Sequence, residues 1–124
     1  MGGTLYSPKV LDHFEHPRNV GELPDATAEV QMENPVCGDV MRLAARVENG
    51  TVTEVRFKTV GCVTAIACGS LLTERMKGRR VEELGEITDK KLSRELGGLP
   101  PATRHGAQLA ADALRALLAQ LRGG

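Results

Sequence analysis

Tryptophan is absent from this chain of 124 residues, and Tyr6, Phe14 and Phe57 are its only aromatic side chains. Any core must therefore be built from Val, Leu, Ile, Met and Ala. The chain also lacks an excess of either charge: 16 Lys and Arg balance 16 Asp and Glu, so no basic field points to nucleic acid or to an anionic membrane. No apolar run approaches the ~20 residues of a membrane span. Residues 1–5 show no charged stretch leading into an apolar one, which argues against secretion, and Tyr6 stands where a myristoylation pattern wants Ser or Thr. Repeats and low-complexity tracts are missing. The cysteines are few and odd in number, Cys37, Cys62 and Cys68, which argues against a disulfide framework and for reduced thiols in a cytoplasmic setting. At this length residues 1–124 are expected to form one domain with a core that needs no disulfide.

What the chain does contain is a clear order of elements. Ser7 caps a first helix with Pro8 at its first position, ending near His16 before Pro17. Ala28, Val30 and Met32 alternate with polar residues as a first strand, and Met41, Leu43, Ala45 and Val47 give a second. A third runs from Val52 to Val60, with Val55 and Phe57 facing in. A tight two-residue loop at Asn49-Gly50 would set Leu43 opposite Arg56. One added residue pairs Leu43 with Phe57 and Ala45 with Val55, so the parity predicts a three-residue turn or a bulge. A buried helix follows from Val63 to Lys77, stopped by Gly78. A short helix is capped by Thr88 and broken at Gly97-Gly98. A last helix runs from about Pro101 to Leu121, with His105, Leu109, Ala113, Leu117 and Leu121 on its inward stripe.

This order has a chemical consequence. Cys37 and Asp39 precede the second strand and Cys62 follows the third, so an antiparallel hairpin brings all three to one end of the sheet. Gly38 and Gly61 allow the backbone to bend there. His105, in the first turn of the last helix, lies at a helix end that favours anionic thiolates nearby. Each residue also has a plainer reading. Cys68, inside an apolar helix, reads as a small buried hydrophobe. Asp39 could bond nearby amides, and His105 could be a half-buried helix-start histidine. Cysteine, aspartate, cysteine and a distant histidine do not form a zinc-finger pattern; by themselves they indicate a metal or thiol site.

Six segments sharpen this: Tyr6-Ser7-Pro8-Lys9-Val10 with Asp12-His13, His16-Pro17-Arg18-Asn19-Val20-Gly21, Asn34-Pro35-Val36-Cys37-Gly38-Asp39, Phe57-Lys58-Thr59-Val60-Gly61-Cys62, Ala65-Ile66-Ala67 and Leu99-Pro100-Pro101. With them the chain resembles the U-type iron–sulfur cluster scaffold family (IscU and NifU amino-terminal-domain type) over nearly its full length. The resemblance implies an α+β fold: a three-stranded antiparallel sheet with helices over one face. It implies a site formed by Cys37, Asp39, Cys62 and His105, with Cys37 and Cys62 as sulfur acceptors. Iron and a transient [2Fe–2S] cluster would be the cargo, a cysteine desulfurase the sulfur donor, and apo iron–sulfur proteins the recipients. Such a protein is a scaffold or carrier and not an enzyme, save in the limited sense of a sulfurtransferase-type acceptor. The family pattern places a third cysteine directly after the histidine, where this chain has Gly106, and a lysine where it has Thr103. Assembly would then rest on Cys37 and Cys62, Gly106→Cys should raise cluster yield, and a chaperone contact is less firmly implied.

Two other readings compete. Cys37, Asp39, Cys62 and His105 are ligand types that zinc accepts, which would make a zinc-binding sulfur-acceptor relative. A degenerate interaction module is the other. No nucleotide loop or Ser-His-Asp arrangement supports small-molecule catalysis.

Overall fold

The structure is a computed structural model that describes residues 6–35 and 38–123. Helix α1 (Pro8–Glu15) opens as the sequence predicts: the Ser7 hydroxyl accepts from the Val10 amide 3.1 Å away, and proline occupies the first turn. The same hydroxyl donates to the Leu96 carbonyl, tying the start of α1 to a distant part of the chain.

Strands β1 (Ala28–Glu33), β2 (Val40–Glu48) and β3 (Thr51–Val60) form one antiparallel sheet in the order β1-β2-β3. Asn49 (φ 54°) and Gly50 (φ 79°) are both left-handed, the requirement of a two-residue hairpin turn that matches strand twist. The predicted correction of register is present as a bulge. Val47 faces Val52, but Arg46 faces Glu54, leaving Thr53 as the extra residue. Its hydroxyl donates to the Arg46 carbonyl at 3.2 Å. Beyond the bulge Ala45 pairs with Val55 and Leu43 with Phe57. Val52, Val55 and Phe57 consequently all face the core.

The free edge of β3 is covered on its backbone groups. The Phe57 amide donates to Asn19 and its carbonyl accepts from Gly21, while Val52 exchanges bonds with Gly78 and Arg79. Helix α2 (Val63–Met76) packs on β3 and is buried from Thr64 to Thr73 apart from Ile66. Gly69 makes that approach close: a Cβ there would lie 2.6 Å from the Phe57 ring. Helix α3 (Asp89–Glu95) is capped by Thr88, and helix α4 (His105–Gly123) packs on α2, β1 and β2 with Leu109, Ala113, Leu114 and Leu117 buried. Two features depart from the sequence expectation. A 3-10 helix at Val81–Glu86, anchored by fully buried Leu84, was not foreseen. The expected helix from Pro101 is split into a 3-10 turn, Pro101–Thr103, followed by α4. Among the described residues no helix is long and apolar enough to cross a membrane.

Between α1 and α2 lies a buried polar contact. His13 Nδ1 is 2.7 Å from Ser70 Oγ, which also accepts from the Arg18 amide at 2.9 Å, while His13 Nε2 is 3.6 Å from Glu74. Burial, with Arg18 next, pushes the imidazole below its ordinary value of 6.5. A lowered folded-state value means that the neutral ring is the one the fold holds. Stability is therefore complete above the unfolded-state value and is lost as pH falls below it. Thermal midpoints should fall between pH 8 and pH 5, and His13→Gln should flatten that slope. An unchanged slope in the variant would assign the effect to another group.

Candidate metal centre

The open end of the β2–β3 hairpin builds the site. Val40 pairs with Val60 as the last rung, so Asp39 and Gly61 face each other just beyond it. Gly38 (φ 77°) turns the chain into β2, with its amide bonded to the Asn34 carbonyl and the Asn34 amide to Asp39 O. The Asp39 side chain is almost fully buried over Gly61. A Cβ at Gly61 would lie 2.7 Å from its carboxyl carbon, so only glycine admits the carboxylate at this position. Asp39 Oδ2 also lies 3.5 Å from the Cys62 amide.

Cys62 caps the start of α2 in extended conformation without a side-chain hydrogen bond to the helix, and the Ala65 and Thr64 amides of the first turn favour its anion. His105 is the first residue of α4. Its Nε2 stands 3.8 Å from Cys62 Sγ and 3.9 Å from Asp39 Oδ2. One sulfur, one nitrogen and one oxygen thus lie within 4.8 Å of one another. Ligands on a single tetrahedral zinc would be roughly 3.5 Å apart, given bonds of about 2.0–2.3 Å. The two His105 separations exceed that by only a few tenths of an ångström. Burial pushes the Cys62 thiol up, the two amides pull it back, and the Asp39 carboxylate raises it again. A metal must displace that proton, so binding tightens as pH rises.

The sequence-predicted residues divide as follows. Asp39, Cys62 and His105 come together. Cys37 lies outside the described residues. Cys68 has no exposed surface, and burial pushes its thiol up to about 12, which places it in the core as the sequence suggests. Thr103, where the family pattern has lysine, turns its hydroxyl back onto the Pro100 carbonyl at 2.8 Å, closing the 3-10 turn. Position 106 changes one expectation. A Cβ on Gly106 would lie 2.8 Å from Thr64 Cγ2 and 2.9 Å from the Ala65 nitrogen, so a cysteine there requires the start of α4 to move. The gain expected from Gly106→Cys does not come from a ready space.

Sequence reasoning missed a cleft of about 340 Å³ beside His105, lined by Glu33, Pro35, Gln108 and Asp112 among others. Its walls come from the end of β1 and one face of α4, and no local pattern joins those two segments. Val60, on the last rung of the same end of the sheet, has 76% of its surface exposed.

Comparison with known proteins agrees with this architecture. Residues 5–123 match the family described as NifU-like N terminal domain. The chain is 46% identical over 111 residues to "Iron-sulfur cluster assembly scaffold protein IscU 1" of Archaeoglobus fulgidus, covering 90% of this chain and 72% of that one. It is 45% identical over 121 residues to "Iron-sulfur cluster assembly scaffold protein IscU" of Haemophilus influenzae, covering 94% and 95%. The crystal structure of a nitrogen-fixing NifU-like protein (N-terminal) from Brucella abortus shares the fold, with a TM-score of 0.80 at 18% identity over 96% of this chain and 95% of that one.

Proposed function

The chain belongs to the NifU-like N-terminal-domain family, and from that premise we propose that it is a scaffold for iron–sulfur cluster assembly. The observation that carries this reading is the convergence of Asp39, Cys62 and His105, buried to half-buried, at one end of the sheet. Their chemistry suits a cluster that must be given away. Thiolates are the usual cluster ligands and a neutral imidazole can replace one. A carboxylate is harder and holds iron less well, so Asp39 loosens the site.

On this reading the chain's own residues divide the work. Cys62, with Cys37 as the second acceptor, attacks as thiolate the outer sulfur of a desulfurase persulfide and releases the desulfurase thiolate; an external two-electron reductant then brings the transferred sulfur to sulfide. Burial raises the Cys62 thiol overall, and the amides at the start of α2 offset part of that in favour of the anion. His105 and Asp39 complete the hold on iron, and a labile [2Fe–2S] cluster passes to apo-proteins from the exposed end. The protein acts as a carrier and leaves no covalent change in a small substrate. A cation-dependent chaperone contact is not offered by Thr103, whose hydroxyl is engaged within its own turn.

Anaerobic purification and reconstitution with ferrous iron and sulfide, followed by absorption spectroscopy and metal analysis, tests the proposal. Visible charge-transfer bands with stoichiometric iron and sulfide are expected. Colourless protein with one zinc per chain would replace the proposal with the zinc-holding reading, which the same sulfur, nitrogen and oxygen donors permit. Absence of any metal would leave an interaction module.

A further inference from the structure

Gly106 lies where α4 begins to cross α2, and its surroundings differ from those of the other close glycines. At Gly61 and Gly69 an added Cβ would meet side-chain atoms. At Gly106 it would meet Thr64 Cγ2 at 2.8 Å and then two backbone atoms, the Ala65 nitrogen at 2.9 Å and the Thr64 carbonyl carbon at 3.0 Å. A side chain can rotate aside; the first turn of a buried helix cannot. A helix interior favours alanine over glycine, so this glycine weakens α4 locally and returns close approach.

We infer that Gly106 is a positioning residue: its missing Cβ seats the first turn of α4 on the first turn of α2, and that seat sets His105 against Cys62 and Asp39. Two further observations meet at the same contact. The Ala65 amide, which a Cβ on Gly106 would meet at 2.9 Å, is also the amide that most favours the Cys62 thiolate. Thr64 is fully buried there, so the contact lies inside the core and not at its surface. His105 precedes Gly106 directly, and its Nε2 lies 3.8 Å from Cys62 Sγ. A widening between the two helix starts would therefore separate imidazole from sulfur before it disturbed the rest of the core. The residue after the histidine here does mechanical work on the ligand set where the family pattern would supply a third thiol.

This inference rests on the metal-centre reading, and cobalt(II) separates the two. Wild-type protein titrated with Co²⁺ should show thiolate-to-metal charge transfer and d–d bands of a tetrahedral site containing nitrogen. If it shows neither, the metal-centre reading fails and this inference with it. If wild type binds, Gly106→Ala should lose on the order of tenfold in Co²⁺ affinity, with d–d bands shifted by loss of the imidazole. Leu117→Ala provides the stability control, since it truncates a core residue of α4 about 16 Å further along the helix. It should lower the thermal midpoint and leave the Co²⁺ affinity and spectrum unchanged. Adding Thr64→Ser to Gly106→Ala removes only the methyl contact, so the loss should persist. The inference is overturned by Gly106→Ala that binds as wild type does, by equal loss in Leu117→Ala, or by full recovery on adding Thr64→Ser.

Discussion

Replacement of Cys62 by serine is expected to reduce reconstituted iron and sulfide to background, whereas Cys68→Ala should leave both at the wild-type level. Cys62 supplies the only sulfur among the three donors the structure brings together, at the start of α2 where two amides favour its anion. Serine keeps the volume but offers a harder oxygen that stays protonated in the working range, so soft ligation is lost. Cys68 sits six residues further along the same helix, roughly 9 Å of axial rise away. Burial pushes its thiol up to about 12, so almost none is thiolate near neutral pH. Alanine at position 68 should cost about 1 kcal/mol through lost packing, visible as a small fall in thermal midpoint. Iron and sulfide analysis of both variants decides the assignment. Loss of the cluster in Cys68→Ala with the fold intact would make the ligand set wrong.

Asp39→Ala is the second substitution with a large expected effect, and its direction is opposite: the cluster should persist longer. The carboxylate is the hard donor in an otherwise softer set, and it is the donor most readily exchanged for solvent or chelator. It also raises the Cys62 thiol, so its removal leaves more of that sulfur as the ligating thiolate. The bend survives, because its bonds to Asn34 and Gly38 use backbone groups that alanine retains. Absorbance under chelator challenge should then decay on the order of tenfold more slowly than in wild type. Decay as fast as wild type, or faster, removes Asp39 from the role of exchangeable ligand.

Local period and chain direction were enough to define the elements and the end of the sheet at which chemistry gathers. Alternation named the three strands, Ser7 and Thr88 marked two helix starts, and antiparallel pairing placed Asp39 and Cys62 side by side. These are consequences of local period and chain direction, which neighbouring residues encode. The parity of Leu43 and Phe57 also required an extra residue in the hairpin. It could not say where, because a lengthened turn and a bulge repair the register equally; the structure puts the correction at Thr53. The 3-10 helix at Val81–Glu86 was invisible because six residues with one buried anchor show no period. Cys37 lies outside the described residues, so its place in the ligand set stays with the proposal.

How closely the donors approach is a matter of packing between distant segments. The 3.8 Å and 3.9 Å separations around His105 depend on α4 meeting α2 across a glycine. In the sequence Gly106 shows only the absence of a cysteine. Its close contact is with residues some forty positions earlier, at Thr64 and Ala65, and no pattern local to either segment records it. Period and turn chemistry are written in adjacent residues, whereas the distance between two packed helices is set by the volumes that meet across them.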